Sequence, residues 1–271
     1  ERLNEVHTMD DEEPLNRTLI SSLPEQKSIS FNNISFSYPG SGKVPVLENI
    51  SLEIPEGQVT AIVGVSGSGK TTLLKILLKI YVEYIGEIRI GETNFKNMSP
   101  SFWRRQCGTV LQEGYIFNDT IAKNIAIGGD FIDYEKLTLS CRIANILTFI
   151  ESLPNGFNTR MGVDGIGISQ GQRQRLLIAR AVYKEPKYLF FDEATNSLDS
   201  NNEMSIVQNL RQFFKGRTVV VVAHRLRTVK EANKIVVLHK GRIAEQGTHA
   251  YLTSLKGQYY ELVKNQLELD S

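Results

Sequence analysis

Apolar patterning predicts an α/β fold in which a mixed, mainly parallel sheet forms the core. Residues 188–191 and 218–222 are continuous apolar runs, as expected of parallel strands that are covered on both faces, and residues 59–63 form a third buried strand. From residue 29 to residue 54 apolar and polar residues alternate instead, which is typical of antiparallel strands with one exposed face. The sequence therefore predicts three parts: this core, an N-terminal antiparallel β-subdomain, and an inserted helical subdomain over about 115–183.

The antiparallel strands come first along the chain. Apolar and serine residues alternate over 34–38, a Pro-Gly turn follows, and residues 46–54 alternate again. Residues 87–90 form a third short strand. Together these strands are expected to make a small antiparallel sheet beside the parallel core.

The first residues of the chain have a different character. Residues 1–28 contain an acidic run that ends in proline and a second proline further on, and they are predicted to form a linker. The folded domain is therefore expected over 29–271. Because the chain begins with Glu rather than Met, we expect it to be a piece of a longer protein.

Composition and charge exclude several classes of protein. At 271 residues, with 41% hydrophobic and 23% charged, the chain has the composition of an ordinary globular protein. Its formal net charge of +1 gives no support to nucleic-acid binding. Cys107 and Cys141 lack the spacing of a zinc site and are too few for a disulfide framework. No apolar run approaches the ~18 residues that cross a bilayer, so any membrane-bound part is expected in a missing segment or a separate subunit.

A glycine-rich loop follows the strand predicted at 59–63. Residues 64–72 match the pattern Gly, four residues, Gly-Lys-Ser/Thr that wraps a nucleotide triphosphate, which places the chain among P-loop NTPases. Glycines let successive backbone N–H groups point at phosphate oxygens, and a helix start adds partial positive charge. Lys70 is expected to reach the outer phosphates and the Thr71 hydroxyl to ligate Mg²⁺. The alternative, a glycine-rich turn without a ligand, is disfavoured by the flanking strand and helix. The loop residues predicted to bind the nucleotide are Gly64, Ser66, Gly67, Ser68, Gly69, Lys70, Thr71 and Thr72.

The helix predicted after this loop is almost entirely apolar. Over residues 73–80 the exceptions are Lys75 and Lys79. Because these lysines lie one helical turn apart, they are predicted to share one polar stripe while the other faces of the helix are buried.

Helices are predicted to dominate the middle and the end of the chain. Residues 133–153 have helical periodicity up to a Pro-Asn-Gly stop, and residues 172–183 form a second helix. A strand at 234–239 then turns through Lys240-Gly241 into a hairpin partner. The tail over 248–271 is predicted to be helical and exposed.

An apolar strand that ends in carboxylates is the second part of the predicted site. Residues 188–191 lead directly to Asp192 and Glu193. In phosphate-loop ATPases an Asp at this place organises Mg²⁺, and the adjacent Glu is well placed to polarise the water that attacks the terminal phosphate. The alternative is an acidic strand end that caps the next helix. The preceding glycine loop favours the catalytic interpretation.

A third motif opens the helix before that strand. Residues 167–175 read Gly-Ile-Ser-Gln-Gly-Gln-Arg-Gln-Arg. A helix that starts with Ser and Gly amides can bind an anion. Alone, the motif would be interpreted as an ordinary capped helix, but its position between two phosphate-handling motifs favours a role with the nucleotide.

In this order, the motifs resemble the nucleotide-binding domain of ATP-binding cassette (ABC) transporters over residues 29 to about 265. The resemblance implies that Tyr38 stacks on adenine, that Gln112 contacts Mg²⁺ and hinges the helical subdomain, and that His224 contacts the terminal phosphate. Residues 196–199 resemble the family's loop at the dimer interface. Read alone, Tyr38 is an ordinary strand aromatic, Gln112 a surface residue and His224 a strand-end histidine.

The family's signature peptide, usually Leu-Ser-Gly-Gly-Gln, resembles residues 168–172, where Gln170 replaces the first glycine. If that position needed a positive φ, Gln would cost ~1–2 kcal/mol. We expect instead that Ser169 caps the helix and that Gln170 lies in its first turn, where the N–H donors survive.

The resemblance further implies a site that is shared between two head-to-tail copies, with ATP and Mg²⁺ as cofactors. One copy would supply Lys70, Thr71, Gln112, Asp192, Glu193 and His224, and the other Ser169, Gln170, Gly171 and Gln172. The expected metal ligands among these are Thr71, Gln112 and Asp192, and the expected catalytic residues are Lys70, Gln112, Glu193 and His224.

The branch of the family is predicted from three segments. Residues 112–125 resemble the exporter form, residues 192–199 the form in peptidase-containing peptide exporters, and residues 1–6 the linker after an exporter's last membrane helix. Exporters often carry Glu at the position of Val163. The resemblance thus implies an ATPase motor at the cytoplasmic face of a membrane, with a second nucleotide-binding domain and a transmembrane domain as partners and a peptide as cargo.

Two other functions stay open at this point. The first is a regulatory nucleotide-binding module with weak hydrolysis, which Gln170 motivates. The second is a soluble relative that works in DNA repair or translation. It is disfavoured because the chain has a single short cassette and a net charge of only +1.

Overall fold

Ten strands lie within the part of the chain that the computed structural model describes, which is residues 11–13, 18–40, 44–112, 114–128, 131–162, 167–192, 200–223 and 229–269. They are β1 Ile29–Phe36, β2 Leu47–Ile54, β3 Val59–Val63, β4 Ile85–Ile90, β5 Thr93–Asn94, β6 Cys107–Val110, β7 Tyr188–Asp192, β8 Thr218–Val222, β9 Lys234–His239 and β10 Arg242–Gly247.

The strands form two sheets. The smaller sheet has the order β2-β1-β4-β5 and is antiparallel throughout. The larger has the order β10-β9-β3-β8-β7-β6 and is parallel except for the β9–β10 hairpin. This arrangement confirms the predicted fold class, including the antiparallel sheet beside a mainly parallel core.

Helices cover the sheets. In chain order they are α1 Lys70–Leu77, α2 Pro100–Gln106, α3 Ile121–Ile125, α4 Tyr134–Ile143, α5 Leu147–Glu151, α6 Gln170–Tyr183, α7 Ser200–Phe214, α8 His249–Leu255 and α9 Gln258–Leu269. Short 3₁₀ turns lie at Phe95–Asn97 and Gly156–Asn158. Helices α3 to α6 fall in the range that the sequence predicts to be mainly helical.

Both faces of the large sheet are buried. Side chains alternate along a strand, so Ile62 and Phe190 face a core shared with the small sheet and α1, while Ala61 and Leu189 face a core shared with α3, α4 and α6. Every residue of β7 and β8 is buried. The continuous apolar runs of these strands therefore follow from a sheet that is enclosed on both sides.

Helix α2 packs directly under the end of α1. The indole Nε1 of Trp103 donates to the backbone oxygen of Leu77 at 2.6 Å, and Trp103 is fully buried. The indole also contacts the rings of Phe95 and Tyr188, with centroids 5.2 and 4.6 Å away. The sequence did not predict α2, although its Ser99 N-cap followed by Pro100 is a helix start signal.

The polar stripe predicted for α1 is wrong. The helix ends at Leu77, and Lys79 follows in a left-handed turn with φ 54° and only 4% of its surface exposed. Its Nζ donates to Met98 O at 2.6 Å and lies 4.7 Å from the Phe95 ring centroid. The ammonium is buried because a carbonyl and an aromatic face replace its water.

Two further predictions of helix extent need correction. Residues 133–153 form two helices rather than one, because Asn145 takes a left-handed φ of 52° between α4 and α5. The C-terminal tail is helical as predicted but not simply exposed. Leu252 and Tyr259 are buried in the core that contains Ala61 and Leu189, since α8 and α9 pack onto β10.

The residues of the predicted linker that the structure describes contact the folded domain. The Glu13 carboxylate accepts hydrogen bonds from Ser101 N at 2.7 Å and Ser99 Oγ at 2.9 Å, and Glu12 pairs with Arg104. Ile20 forms a backbone bridge beside the same helix, α2. The domain boundary at residue 29 stays a prediction. Within the described residues, no helix is long and apolar enough to cross a membrane.

Candidate functional site

The parallel strands bring the predicted residues to one edge of the large sheet. β3 runs into the glycine loop, β7 ends at Asp192, and β6 ends two residues before Gln112. The register aligns Asp192 with Val222 and Val222 with Ile62, so Asp192 is level with the penultimate residue of β3 and two strands away. At about 4.8 Å per strand, roughly 10 Å separate the two backbones, which is a span suited to a ligand at the carboxyl edge of an α/β sheet.

Close backbone approach explains two glycines of the loop. Gly64 has φ 151°, and a Cβ there would lie 2.2 Å from Leu238 O and 2.8 Å from Ser68 Oγ. Gly69 has φ 103°, forms the left-handed N-cap of α1, and would carry a Cβ 2.6 Å from Leu47 Cδ2. The loop geometry therefore needs glycine both for its dihedral angles and for its packing.

The loop concentrates hydrogen-bond donors at the start of α1. The first intrahelical bond runs from Leu73 N to Gly69 O at 3.0 Å, so the amides of Lys70, Thr71 and Thr72 precede the helical ladder. Lys70 is 6% exposed, and its ammonium donates to Gly64 O at 2.8 Å and Val65 O at 3.0 Å. A cation and three helix-start amides in one concave turn fit a polyphosphate anion.

Ser68 supports the same ligand. Its hydroxyl is buried, with 2% of the residue exposed, and makes no hydrogen bond to the described residues. Buried hydroxyls are almost always paired. An acceptor oxygen of a phosphate in this loop would supply the missing partner.

The position of Tyr38 connects the small sheet to α1. The Tyr38 hydroxyl lies 2.7 Å from Thr72 Oγ1, and its ring packs edge-on against Phe36 and Tyr81, with centroids 5.2 and 5.4 Å away. Tyr38 lies two residues beyond the end of β1, so it is not a strand residue, although its ring packs on Phe36 as the strand-aromatic interpretation expects. The hydroxyl places the ring next to the phosphate loop. Its contact with adenine stays a prediction.

The donor set fits Mg²⁺ that arrives with a nucleotide. Among the described residues, no group of three or more His, Cys, Asp or Glu side chains could hold a metal ion by itself. Asp192 is a single carboxylate with 2% exposure, and Thr71 is the second residue of α1. Mg²⁺ usually binds through one or two protein oxygens together with phosphates and water, so this sparse set fits. Gln112 is exposed and follows β6 at the same sheet edge.

The tip of α6 has the predicted cap. Ser169 Oγ accepts from Gln172 N at 3.1 Å, and Gln172 Oε1 accepts from Ser169 N at 2.9 Å, which is a complete capping box. Gln170 is the first helical residue and is not among the residues with positive φ. The expectation that Gln170 lies in the first turn is confirmed, and the strain that a positive φ would cause is absent.

Four of the sequence-based assignments lie outside the described residues. They are Glu193, His224, the loop 196–199 and Val163. The neighbours Asp192 and Ala223 are described and buried.

Sequence reasoning missed the arginines of α6. Arg173 and Arg180 donate to backbone oxygens of the segment that follows Gln112. Their spacing of seven residues, with Leu177 between them, places all three on one helix face, which is the signal that could have identified them.

Comparison with known proteins identifies the family. A family profile described as ABC transporter matches residues 47–196, which is more than half of the chain. The chain belongs to the ABC transporter family. This ABC chain is 42% identical over 260 residues to the alpha-hemolysin translocation ATP-binding protein HlyB of Escherichia coli O157:H7, with 96% of this chain and 36% of the relative covered. It is 43% identical over 250 residues to the leukotoxin translocation ATP-binding protein LktB of Mannheimia haemolytica, with coverages of 92% and 35%.

A solved structure of a bacterial Atm1-family ABC exporter with ATP bound has the same fold. The TM-score is 0.87 at 35% identity, over 98% of this chain and 46% of the exporter chain. The ABC chain thus spans about a third of its curated relatives and under half of this exporter chain. These matches confirm the predicted family, and the similar proteins are translocation ATP-binding proteins and an ABC exporter.

Proposed function

We propose that this chain is the ATP-hydrolysing motor domain of a membrane exporter, and that two copies enclose two ATP molecules in a head-to-tail pair. The observation that carries the proposal is the phosphate loop, in which Lys70, three helix-start amides and the buried Ser68 hydroxyl converge on one concave turn. Its position at the carboxyl edge of the sheet supports the same function.

Each copy contributes a different half of the site. The phosphate loop, Gln112, Asp192, Glu193 and His224 act on the nucleotide bound to their own copy, and the partner supplies the α6 tip. A capping box fixes that tip, and its helix start directs N–H groups and partial positive charge outward. Sharing the site in this way makes ATP the link between the copies, so hydrolysis releases them.

The reaction is in-line attack of water on the γ-phosphate. Glu193 orients this water and accepts its proton, while Lys70 and the α6 tip of the partner stabilise the charge that develops on the phosphate oxygens. His224 contacts the terminal phosphate. When bound with ATP, Mg²⁺ would neutralise phosphate charge, and Thr71, Asp192 and Gln112 are the residues that would hold it.

The cargo and the location follow from the relatives. The two curated relatives are named for the translocation of alpha-hemolysin and leukotoxin, and together with the resemblance of residues 192–199 to peptide exporters this supports our proposal of a peptide or protein cargo for this chain. The motor would sit at the cytoplasmic face of the membrane, bound to a transmembrane domain that converts closure and opening of the pair into movement of the cargo.

A regulatory module with weak hydrolysis is the second candidate. Its motive was Gln170, but that residue begins α6 without strain and keeps the backbone amides of the tip available. The motor interpretation is therefore preferred.

Two substitutions test the proposal on the 271-residue chain. Glu193→Gln should keep ATP binding, lower turnover by about 10²–10⁴-fold and stabilise an ATP-bound dimer, because the water loses its base while the loop stays intact. Lys70→Met should weaken ATP binding by about ten- to a hundredfold, because it removes a charged phosphate contact. Isothermal titration with ATP, phosphate release and analytical ultracentrifugation measure these effects.

Matched controls lie nearby. Lys75→Met, on the same helix as Lys70, and Glu185→Gln, an exposed carboxylate, should leave binding and turnover within about twofold. Unchanged ATP affinity after Lys70→Met would overturn the proposed site. Unchanged turnover after Glu193→Gln would remove that residue from the mechanism.

A further inference from the structure

We propose that one face of α6, formed by Arg173, Leu177 and Arg180, holds residues 114–124 against the helix. This segment and the α6 tip then move together. Arg173 and Arg180 are then positioning residues, because they link Gln112 to the α6 tip. In the proposed function, Gln112 acts on the nucleotide bound to its own copy, and the tip acts on the nucleotide bound to the partner. The significance of this link rests on the proposed function, whereas the link itself is a property of the folded chain.

The first contact lies at Gly114, two residues after Gln112. Arg173 directs two N–H groups at Gly114 O, Nη2 at 2.7 Å and Nε at 3.1 Å. One turn further along, Leu177 packs so tightly on Gly114 that a Cβ there would lie 2.3 Å from Leu177 Cδ1. The backbone at Gly114 is therefore held against α6 both by a charged donor and by close packing.

The second contact is made by Arg180, three residues after Leu177. Its Nη1 donates to Tyr115 O at 2.8 Å, its Nε donates to Asn124 O at 2.7 Å, and its guanidinium stacks over the Phe117 ring at 5.5 Å. Burial lowers the pKa of Arg180 to about 10, so the cation depends on these partners rather than on water. Arg180 thus joins the two ends of the segment 115–124.

The segment is also rigid within itself. The side chain of Asn124 is buried, and its Nδ2 donates to Phe117 O at 3.0 Å and Thr120 O at 3.0 Å. Its Oδ1 accepts from Phe117 N at 2.8 Å. A single amide therefore closes the turn between Phe117 and Thr120, and Arg180 Nη2 reaches the same Oδ1 at 3.2 Å.

These contacts place Gln112 at a boundary. On one side is β6, which is paired with β7 in the large sheet. On the other side, the backbone at Gly114, Tyr115 and Asn124 is bonded to α6, whose N-cap Ser169 lies one turn before Arg173. Helix α6 itself packs on β6, so Gln112 lies between the large sheet and a segment that α6 holds together with its own tip.

Hydrogen exchange of the nucleotide-free chain tests the link. Arg173→Met and Arg180→Met should each raise amide exchange by about tenfold in residues 114–124, because a hydrogen bond to a charged group is lost, and Arg173→Met should also raise it in residues 169–173. Arg173→Lys keeps one donor and should restore part of the protection, and it covers the case in which Arg173→Met does not fold. Peptide-resolved mass spectrometry gives the rates.

Arg175 is the matched control. It lies on the same helix but donates to Asn145 O at 2.9 Å, away from the segment after Gln112. Arg175→Met should leave exchange in residues 114–124 unchanged. The proposal is overturned if Arg173→Met and Arg180→Met leave that segment protected, or if Arg175→Met exposes it equally.

Steady-state kinetics supply a second readout, provided that kcat is calculated per folded molecule, because partial unfolding would otherwise lower the apparent kcat by itself. Arg173→Met should lower kcat for ATP by about tenfold with KM within about twofold, because Lys70 and the phosphate loop are untouched, and Arg173→Lys should recover part of kcat. A raised KM with an unchanged kcat would contradict a positioning role. If the unsubstituted chain neither binds nor hydrolyses ATP, the proposed function fails, but the exchange comparison still decides the link because it needs no nucleotide.

Discussion

The two glycines Gly64 and Gly67 differ in what surrounds them, although both have positive φ. A Cβ at Gly64 would overlap Leu238 O at 2.2 Å, whereas nothing lies within 4 Å of a Cβ at Gly67. Gly64→Ala should therefore lower the free energy of unfolding by more than about 3 kcal/mol and abolish ATP binding, because a backbone oxygen must move. Gly67→Ala should cost only about 1–2 kcal/mol of backbone strain. Urea unfolding of both variants measures the difference.

Equal losses from the two substitutions would contradict this account. In that case the dihedral angle alone, and not the approach of β9 to the loop, would explain why glycine is needed at residue 64.

Lys79 shows the limit of sequence reasoning for a single residue. Its spacing from Lys75 predicts a polar stripe, because helical periodicity is the only local information that the sequence provides. The acceptor that allows Lys79 to be buried, Met98 O, comes from a turn that the pattern does not relate to α1. The charge of Lys79 is thus satisfied by tertiary structure, which periodicity does not encode.

At the scale of elements, the tip of α6 allows the effect of a helix cap on stability to be separated from its proposed role in ATP turnover. Ser169→Ala removes the side chain that accepts from Gln172 N and should lower the free energy of unfolding by about 1 kcal/mol. If the tip completes the site of a partner copy, the same substitution should also lower ATP turnover without changing ATP affinity, because the nucleotide is held by the other copy. Thermal unfolding and phosphate release measure the two effects.

Asp133 is the control cap. It accepts from Lys136 N at 3.0 Å at the start of α4 and has no predicted contact with nucleotide. Asp133→Ala should lower stability by a similar amount, about 1 kcal/mol, and leave turnover unchanged. A fall in turnover after Asp133→Ala as large as that after Ser169→Ala would show that the effect is one of stability alone.

The elements themselves were predicted unequally. The buried parallel strands and the loop-to-helix step at residues 64–70 are strong local signals, since continuous apolar runs and glycine patterns need no tertiary information. The break at Asn145 was missed, because apolar periodicity continues through it into α5. The structure shows that a left-handed residue can reorient a helix without Gly or Pro.

At the scale of the whole molecule, the acidic segment Asp11–Glu13 docks on α2. The guanidinium of Arg104 lowers the pKa of Glu12, and hydrogen bonds from Ser101 N and Ser99 Oγ lower the pKa of Glu13. Because the docked pKa values lie below the ordinary Glu value of about 4.3, docking is favoured above that pH and is lost as the pH falls through the docked values. NMR titration of the two side-chain carboxyl carbons should therefore give midpoints below the ordinary range.

Neighbouring arginines provide the comparison. Arg104→Met should return the midpoint of Glu12 toward its ordinary value, because the charged partner is lost, and Arg105→Met should not, because Arg105 is exposed and lies outside the contact. Ordinary midpoints for both carboxylates in the unsubstituted chain would contradict docking of this segment in solution.

The motifs of the candidate site were more predictable than the contacts that join them to the rest of the fold. The sequence predicted the local structure of the phosphate loop, the strand end at Asp192 and the capped α6 tip, because each motif has a fixed spacing, while their roles with nucleotide stay predictions. It did not reveal that Tyr38 is bonded to Thr72, or that one face of α6 holds the segment after Gln112, since such contacts join residues that are distant along the chain.

Trp103 has a practical consequence. It is the single tryptophan of the chain, its indole N–H is bonded to the last carbonyl of the helix that opens at the phosphate loop, and water is excluded from its ring. Its fluorescence therefore reports one place only, the packing beneath that helix, and emission shifts to longer wavelength when solvent enters there. The unmodified polypeptide carries an optical probe for each of the unfolding experiments described above, without any dye or engineered label.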